Sequence, residues 1–120
     1  MPRPPQITDA DVSLRLQANG PLTALRLAEV LRVERSTVAR ALGRLGSAVV
    51  QLGAARRARY ALRRTVRAVG GDWRIYRIDA TGRANEWARL HALHGGFLTE
   101  WAGEPPEWAE QAMDPEGFID

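Results

Sequence analysis

The fold turns on residues 22–45, LTALRLAEVLRVERSTVARALGRL. Thr23 is an N-cap residue, and Leu25, Ala28 and Leu31 recur at three-residue spacing with Leu22, Leu27 and Val30 beside them, which predicts a short helix. After Arg32, Val33 and Glu34 a second helix begins, in which Val38, Leu42 and Leu45 make one apolar face and Ser36, Arg40 and Arg44 line another. Gly46 ends it. Two short helices in succession need a tight turn, and the second must lock its apolar face onto the first while presenting a polar face outward. Leu27, Val30, Leu31, Val33, Val38 and Leu42 supply that lock, and Ala28 is small where the helices would cross.

Upstream, residues 8–18 start with a polar residue, carry Asp9 and Asp11 in the first turn and stop at Asn19-Gly20-Pro21. The acids favour a helix N-terminus, although the alternation of Val12, Leu14, Leu16 and Ala18 also has strand character. Downstream, residues 48–52 are apolar and β-branched, 53–58 form a glycine-started basic loop, and Tyr60 and Leu62 alternate, which predicts a β-hairpin. Three helices and then a hairpin is the order of a winged helix-turn-helix. The predicted class is α+β: a winged helix-turn-helix over 1–66, then a small antiparallel β-rich segment over 67–120. Two or three further strands are expected among residues 65–69, 73–79 and 83–93, with a turn at Gly82, another short strand at 97–101 and a helix near 106–113. An acidic C-terminal tail completes that segment.

The 120 residues are 45% hydrophobic and 26% charged, enough apolar material for a core and too little charge for default disorder. All seventeen basic residues are Arg, against fourteen acids. The net charge of +3 hides a division: residues 1–78 hold fifteen Arg and five acids, and 79–120 hold two Arg and nine acids. A general preference for Arg would raise it everywhere, so the basic first part is an electrostatic footprint for a polyanion. The absence of Cys excludes disulfide frameworks, cysteine-ligated zinc and thiolate nucleophiles. The Pro-rich start, residues 1–6, precedes no apolar run, and no stretch is long enough to span a membrane, so a cytoplasmic protein without a signal peptide is expected.

Ala28-Glu29, Val33, Arg35-Ser36-Thr37-Val38 and Arg40-Ala41-Leu42 resemble the helix-turn-helix signature of bacterial transcription regulators. Arg32 stands where that pattern often has Gly, and Glu34 where it has a Ser cap. The resemblance implies double-stranded DNA as partner, with the helix at about 35–45 in the major groove. Ser36 and Thr37 would bond phosphate or bases, Arg40 would pair with guanine, and Arg35 and Arg44 would grip phosphates. The loop at about 53–59, with Arg56, Arg57 and Arg59, would be the wing, and Arg63, Arg64 and Arg67 would extend its basic track. One module makes few base contacts, so a homodimer on a two-fold site is expected. The competing account of the same residues is a solvated face of an Arg-rich chain.

Residues 73–79, Gly82, Trp87-Ala88-Arg89-Leu90-His91 and Gly95-Gly96-Phe97 resemble the opening β-rich segment of HipA-like serine/threonine kinases, in particular a toxin branch with its own N-terminal winged helix. That resemblance implies a toxin–antitoxin setting, with the ATP site and catalytic Asp downstream of such a segment. These 120 residues hold no glycine-rich phosphate loop and no Lys for an ATP phosphate, so no catalysis, catalytic residue, cofactor or metal is assigned. The alternative function is a regulatory, protein-interaction module of such a system, with a kinase domain in cis or in trans as partner. His91 and His94, three apart on a strand, point to opposite faces and are expected to be ordinary surface or half-buried residues. Trp73, Trp87, Trp101 and Trp108 are expected to pack, and the acids from Glu100 to Asp120 to form a solvated surface or to meet a basic face.

Overall fold

The computed structural model describes residues 7–120; the Pro-rich residues 1–6 lie outside them. The chain is mixed α+β with two antiparallel sheets, and it divides into two compact units, Met1–Leu62 and Arg63–Asp120.

In the first unit α1 spans Asp9–Asn19. Thr8 caps it by a reciprocal box: its hydroxyl accepts from Asp11 N at 3.2 Å, while Asp11 Oδ2 accepts from Thr8 N at 2.6 Å. Val12 and Leu16 are fully buried one turn apart, whereas Leu14 is 63% exposed. Helical spacing, not the alternation, therefore decides this segment. Gly20, at φ 75°, closes it by donating to Leu16 O at 2.9 Å. β1 (Leu22–Thr23) follows, and Thr23 caps α2 (Ala24–Leu31) by accepting from Arg26 N at 3.1 Å. α3 spans Arg35–Leu45 and stops at Gly46. Arg32 makes the tight turn between α2 and α3 in the left-handed conformation, φ 57° and ψ 48°. Val33 N reaches back to Ala28 O at 3.1 Å.

Val12, Leu16, Leu27, Ala28, Val38, Ala41 and Leu42 form one core between the three helices, with Leu31, Val33, Leu45, Val49, Tyr60 and Leu62 packed around it. β2 (Val49–Leu52) and β3 (Arg59–Leu62) make the expected hairpin, with Val49 opposite Leu62 and Leu52 opposite Arg59. β1 adds itself to the other edge of β3, pairing Leu22 with Tyr60 and Thr23 with Arg59, so the sheet order is β1-β3-β2. Two residues carry no periodicity, and sequence reasoning gave no strand there.

The second unit is built on a sheet of order β4-β5-β6-β7. β4 (Asp72–Ile78) and β5 (Ala84–Leu93) are joined by a turn in which Asp79 Oδ1 accepts from Thr81 Oγ1 at 2.6 Å, Thr81 N at 2.9 Å and Arg83 N at 3.0 Å. The Thr81 hydroxyl and then the Arg83 amide hold the Asp79 carboxyl below its ordinary value. Ile75 faces Ala88 and Tyr76 faces Glu86, so Trp87 is an extra residue in β5. Such a bulge sets its residue beside the next one, on the face that carries Ala88 and, across β6 (Gly96–Trp101), Trp101. Trp87 and Trp101 accordingly meet edge to face at 5.2 Å, and Trp108 joins them at 6.5 and 5.8 Å. Three of the four tryptophans thus pack together, and Trp73 Nε1 donates to Val69 O at 3.0 Å.

Residues 65–69 form no strand; they hold a 3-10 turn at Arg67–Val69. The expected helix near 106–113 is a single turn, α4 (Ala109–Ala112). The acidic tail is no loose extension: β7 (Phe118–Ile119) pairs with β6, Leu98 opposite Phe118. Asp114 Oδ1 fixes the return by accepting from Phe118 N at 2.9 Å and Glu116 N at 3.1 Å. His91, expected at the surface or half-buried, is only 4% exposed. Arg63 Nη1 lies 3.0 Å from its Nδ1, and because an arginine only donates, Nδ1 is the accepting atom of that contact. The other ring nitrogen, Nε2, is 2.9 Å from Glu100 Oε1, off hydrogen-bond alignment.

Candidate nucleic-acid interface

At about 100° per residue, α3 turns Val38, Ala41, Leu42 and Leu45 to one side. The first three are buried, and Leu45 packs against the same core. The opposite side therefore carries Ser36, Ala39, Arg40 and Gly43, with Arg35 along one flank and Arg44 along the other. Apart from Thr37, which is half-buried toward the core side, these residues are exposed. Arg35 and Arg40 form no ion pair among the described residues. Arg44 differs: its Nε donates to Asp9 Oδ1 at 2.9 Å, tying the last turn of α3 to the first turn of α1. Both ends of that contact agree with their helix dipoles.

Two residues at the centre of this face were not singled out by sequence reasoning. Ala39 and Gly43 are one turn apart, and a Cβ built on Gly43 meets nothing within 4 Å. Packing therefore does not require glycine there, and a glycine inside an exposed helix costs about 0.5–1 kcal/mol relative to alanine. A glycine at mid-helix, away from any turn, was the available signal. Beside the face, Ala39, Leu42 and Gly43 share an open groove of about 360 Å³ with Val49, Gln51 and Tyr60 of the hairpin. The outer edge of α3 and the sheet thus lie side by side.

The hairpin loop is compact. Gly53 takes φ 82° and Ala55 φ 56°, Gln51 Nε2 donates to Gly53 O at 3.0 Å, and Ala58 N closes a 3-10 turn on Ala55 O at 3.2 Å. Arg56 and Arg57 project from that turn, exposed and without an ion pair among the described residues. Arg59 belongs to β3, the central strand of the sheet, where it is half-buried.

Of the three arginines expected to extend the basic track beyond the hairpin, Arg67 is exposed, and Arg63 and Arg64 have partners in the second unit. Arg64 Nε donates to Leu93 O at 2.6 Å with its guanidinium 4.8 Å from the Phe97 ring centre, and Arg63 faces His91. Both serve the second unit's own structure. At the start of α3, Glu34 makes no side-chain cap bond and sets a carboxylate where a bare helix end would attract an anion. Attraction for a polyanion on this face rests on its arginines.

Divided at the structural boundary, the first unit holds ten Arg against four acids and the second seven Arg against ten acids. No group of three or more His, Asp or Glu placed to hold a metal occurs among the described residues. No helix among them is long and apolar enough to cross a membrane. Comparisons with protein-family models, curated proteins and solved structures gave no match.

Proposed function

We propose that the first unit is a winged helix-turn-helix that binds double-stranded DNA and regulates transcription, as a cytoplasmic protein of the bacterial regulator type. The order helix, short strand, helix, helix, hairpin, with the short strand on the outer edge of β3, supports that assignment. The observation that carries the reading is the outward face of α3: the small Ala39 and Gly43, Ser36 and Arg40 beside them, and Arg35 on a flank. A helix of that profile enters a major groove closely, because nothing at Ala39 or Gly43 holds it off. Arg40 then reaches guanine O6 and N7, and Ser36 and Thr37 bond bases or phosphates. Arg35, Arg56 and Arg57 neutralise backbone phosphates, with Arg59 at the base of the wing and Arg44 buttressing α3 through Asp9.

The test is a binding titration of the full chain against DNA upstream of its own coding sequence at several salt concentrations. With about three arginine–phosphate contacts, log K falls against log salt with a slope of about −3. Arg40→Ala costs about 1–3 kcal/mol and relaxes preference at one base pair, while Arg56→Ala weakens all sequences alike and flattens the slope by about 1. Undetectable binding at low salt, or binding indifferent to both substitutions, rejects the reading.

A second reading follows from the second unit, which has a sheet of its own, an excess of acids and a half-exposed Trp108 at its aromatic cluster. There the chain is the regulatory, protein-interaction module of a HipA-like toxin–antitoxin system, docking on a kinase domain in cis or in trans. Co-purification with an adjacently encoded kinase, retained when Arg40 and Arg56 become Ala, favours that reading.

A further inference from the structure

Among the described residues no strand pairs with the outer edge of β4. Ala92 N donates to Gly71 O at 2.8 Å and Asp79 N to Arg83 O at 3.0 Å, which fixes the backbone phase at both ends of the strand. The antiparallel alternation then turns the N–H and C=O groups of Trp73, Ile75 and Arg77 toward β5 and leaves those of Asp72, Arg74, Tyr76 and Ile78 facing outward. Natural sheets guard such an edge with shortness, proline, a bulge or charged side chains, and of these β4 carries only the last, at Asp72, Arg74 and Arg77. β4 has seven residues without Pro or Gly, and the bulge lies in β5. Tyr76 and Ile78 beside the edge are 52% and 70% exposed.

We propose that β4 pairs antiparallel with β4 of a second copy about a two-fold axis through Ile75. A two-fold that lays an edge strand antiparallel on itself runs perpendicular to the sheet, so facing residues lie on the same side and their numbers add to an even sum. Centred on Ile75, all seven residues pair: Asp72 faces the partner's Ile78, Trp73 the partner's Arg77, and Arg74 the partner's Tyr76. Every arginine then meets an aromatic ring, an arrangement that cation–π attraction favours. Centring on Arg74 sets two guanidinium groups face to face. Centring on Tyr76 places Arg77 against Ile75, Arg74 against Ile78, and Asp72 past the end of the opposite strand. The strand's arginines and rings are thus complementary to one another in one register, which points to a second copy as occupant. This inference goes beyond the DNA reading and stands without it.

Sedimentation of the full chain tests it. A seven-residue strand pair is a small interface, so a reversible monomer–dimer equilibrium is expected between about 1 and 300 μM. Tyr76→Arg sets an arginine opposite Arg74 of the other copy on both sides of the axis and weakens the dimer at least about tenfold. Arg74→Glu combined with Tyr76→Arg turns those pairs into attractive ones and restores the dimer to within about threefold. Both positions are exposed, and in its own chain the new arginine faces Glu86 and the new glutamate faces Arg89, so the fold is retained and circular dichroism checks that. A monomer at every concentration, as expected if the edge receives an unrelated chain or nothing, overturns the proposal. So does a dimer indifferent to Tyr76→Arg, and failure of the double substitution to restore pairing overturns the register.

Discussion

Arg32 holds a left-handed backbone that an L side chain adopts at a cost of about 1–2 kcal/mol. Glycine relieves that strain and gives part of it back through a freer unfolded chain, so Arg32→Gly is expected to raise stability by about 0.5–1 kcal/mol in a denaturant titration. That Arg stands at this position was visible in the sequence; that it takes the left-handed conformation was not. Gly43 poses the reverse case. Gly43→Ala stabilises α3 by about 0.5–1 kcal/mol, because no packing demands the glycine. In the proposed DNA complex Gly43→Glu lowers affinity more than tenfold at an unchanged melting temperature, because it puts bulk and negative charge where the groove would lie. His91 shows where residue-level reading stopped. It was expected to share a strand with His94, but His94 lies in the turn after β5, and the surroundings of His91 include Arg63 and Glu100, 28 and 9 positions away in sequence.

Helices with terminal signals and strands long enough to show alternation were legible, and two-residue strands were not. Thr8, Thr23, Gly20 and Gly46 mark the ends of three helices because each satisfies or releases a specific backbone group. In the box at Thr8, its backbone N–H and then its hydroxyl hold the Asp11 carboxyl below its ordinary value. With the folded value lowered, the contribution is present above the ordinary aspartate range and is lost as pH falls through the folded value. Carbon-13 titration of Asp11 is therefore expected to show a depressed transition, and Thr8→Ala to move it up toward the ordinary value while costing about 1 kcal/mol of stability. β1 and β7, two residues each, escaped sequence reading, because pairing and not local pattern makes them strands. β7 depends on Gly96: a Cβ there would collide with Ile119 O, the Phe118 ring and the Asp120 backbone. Gly96→Ala is expected to cost about 1–3 kcal/mol and to free the amide protons of residues 117–119 to exchange.

Across the whole molecule, the modest net charge of +3 is a cancellation between a unit rich in arginine and a unit in which acids prevail. The sequence division at residue 78 made the contrast steeper than the structural one, because several of the arginines before it belong to the second unit, where Arg63 and Arg64 bond its own groups. The candidate interface is accordingly smaller than the basic stretch of sequence: α3 and the loop after β2. Arg35, Ser36, Arg40, Arg56 and Arg57 were legible as its exposed groups, since helical phase and loop position follow from local pattern. The tie of Arg44 to Asp9, 35 residues away, required the fold. In the proposed function, duplex DNA meets this chain through that helix and that loop. The most direct measurement is amide chemical-shift mapping of the full chain during titration with duplex DNA at low salt. The account predicts the largest shifts at residues 35–45 and 53–59, with residues 96–120 unmoved. Shifts concentrated in the second unit, or none at saturating DNA, would contradict it.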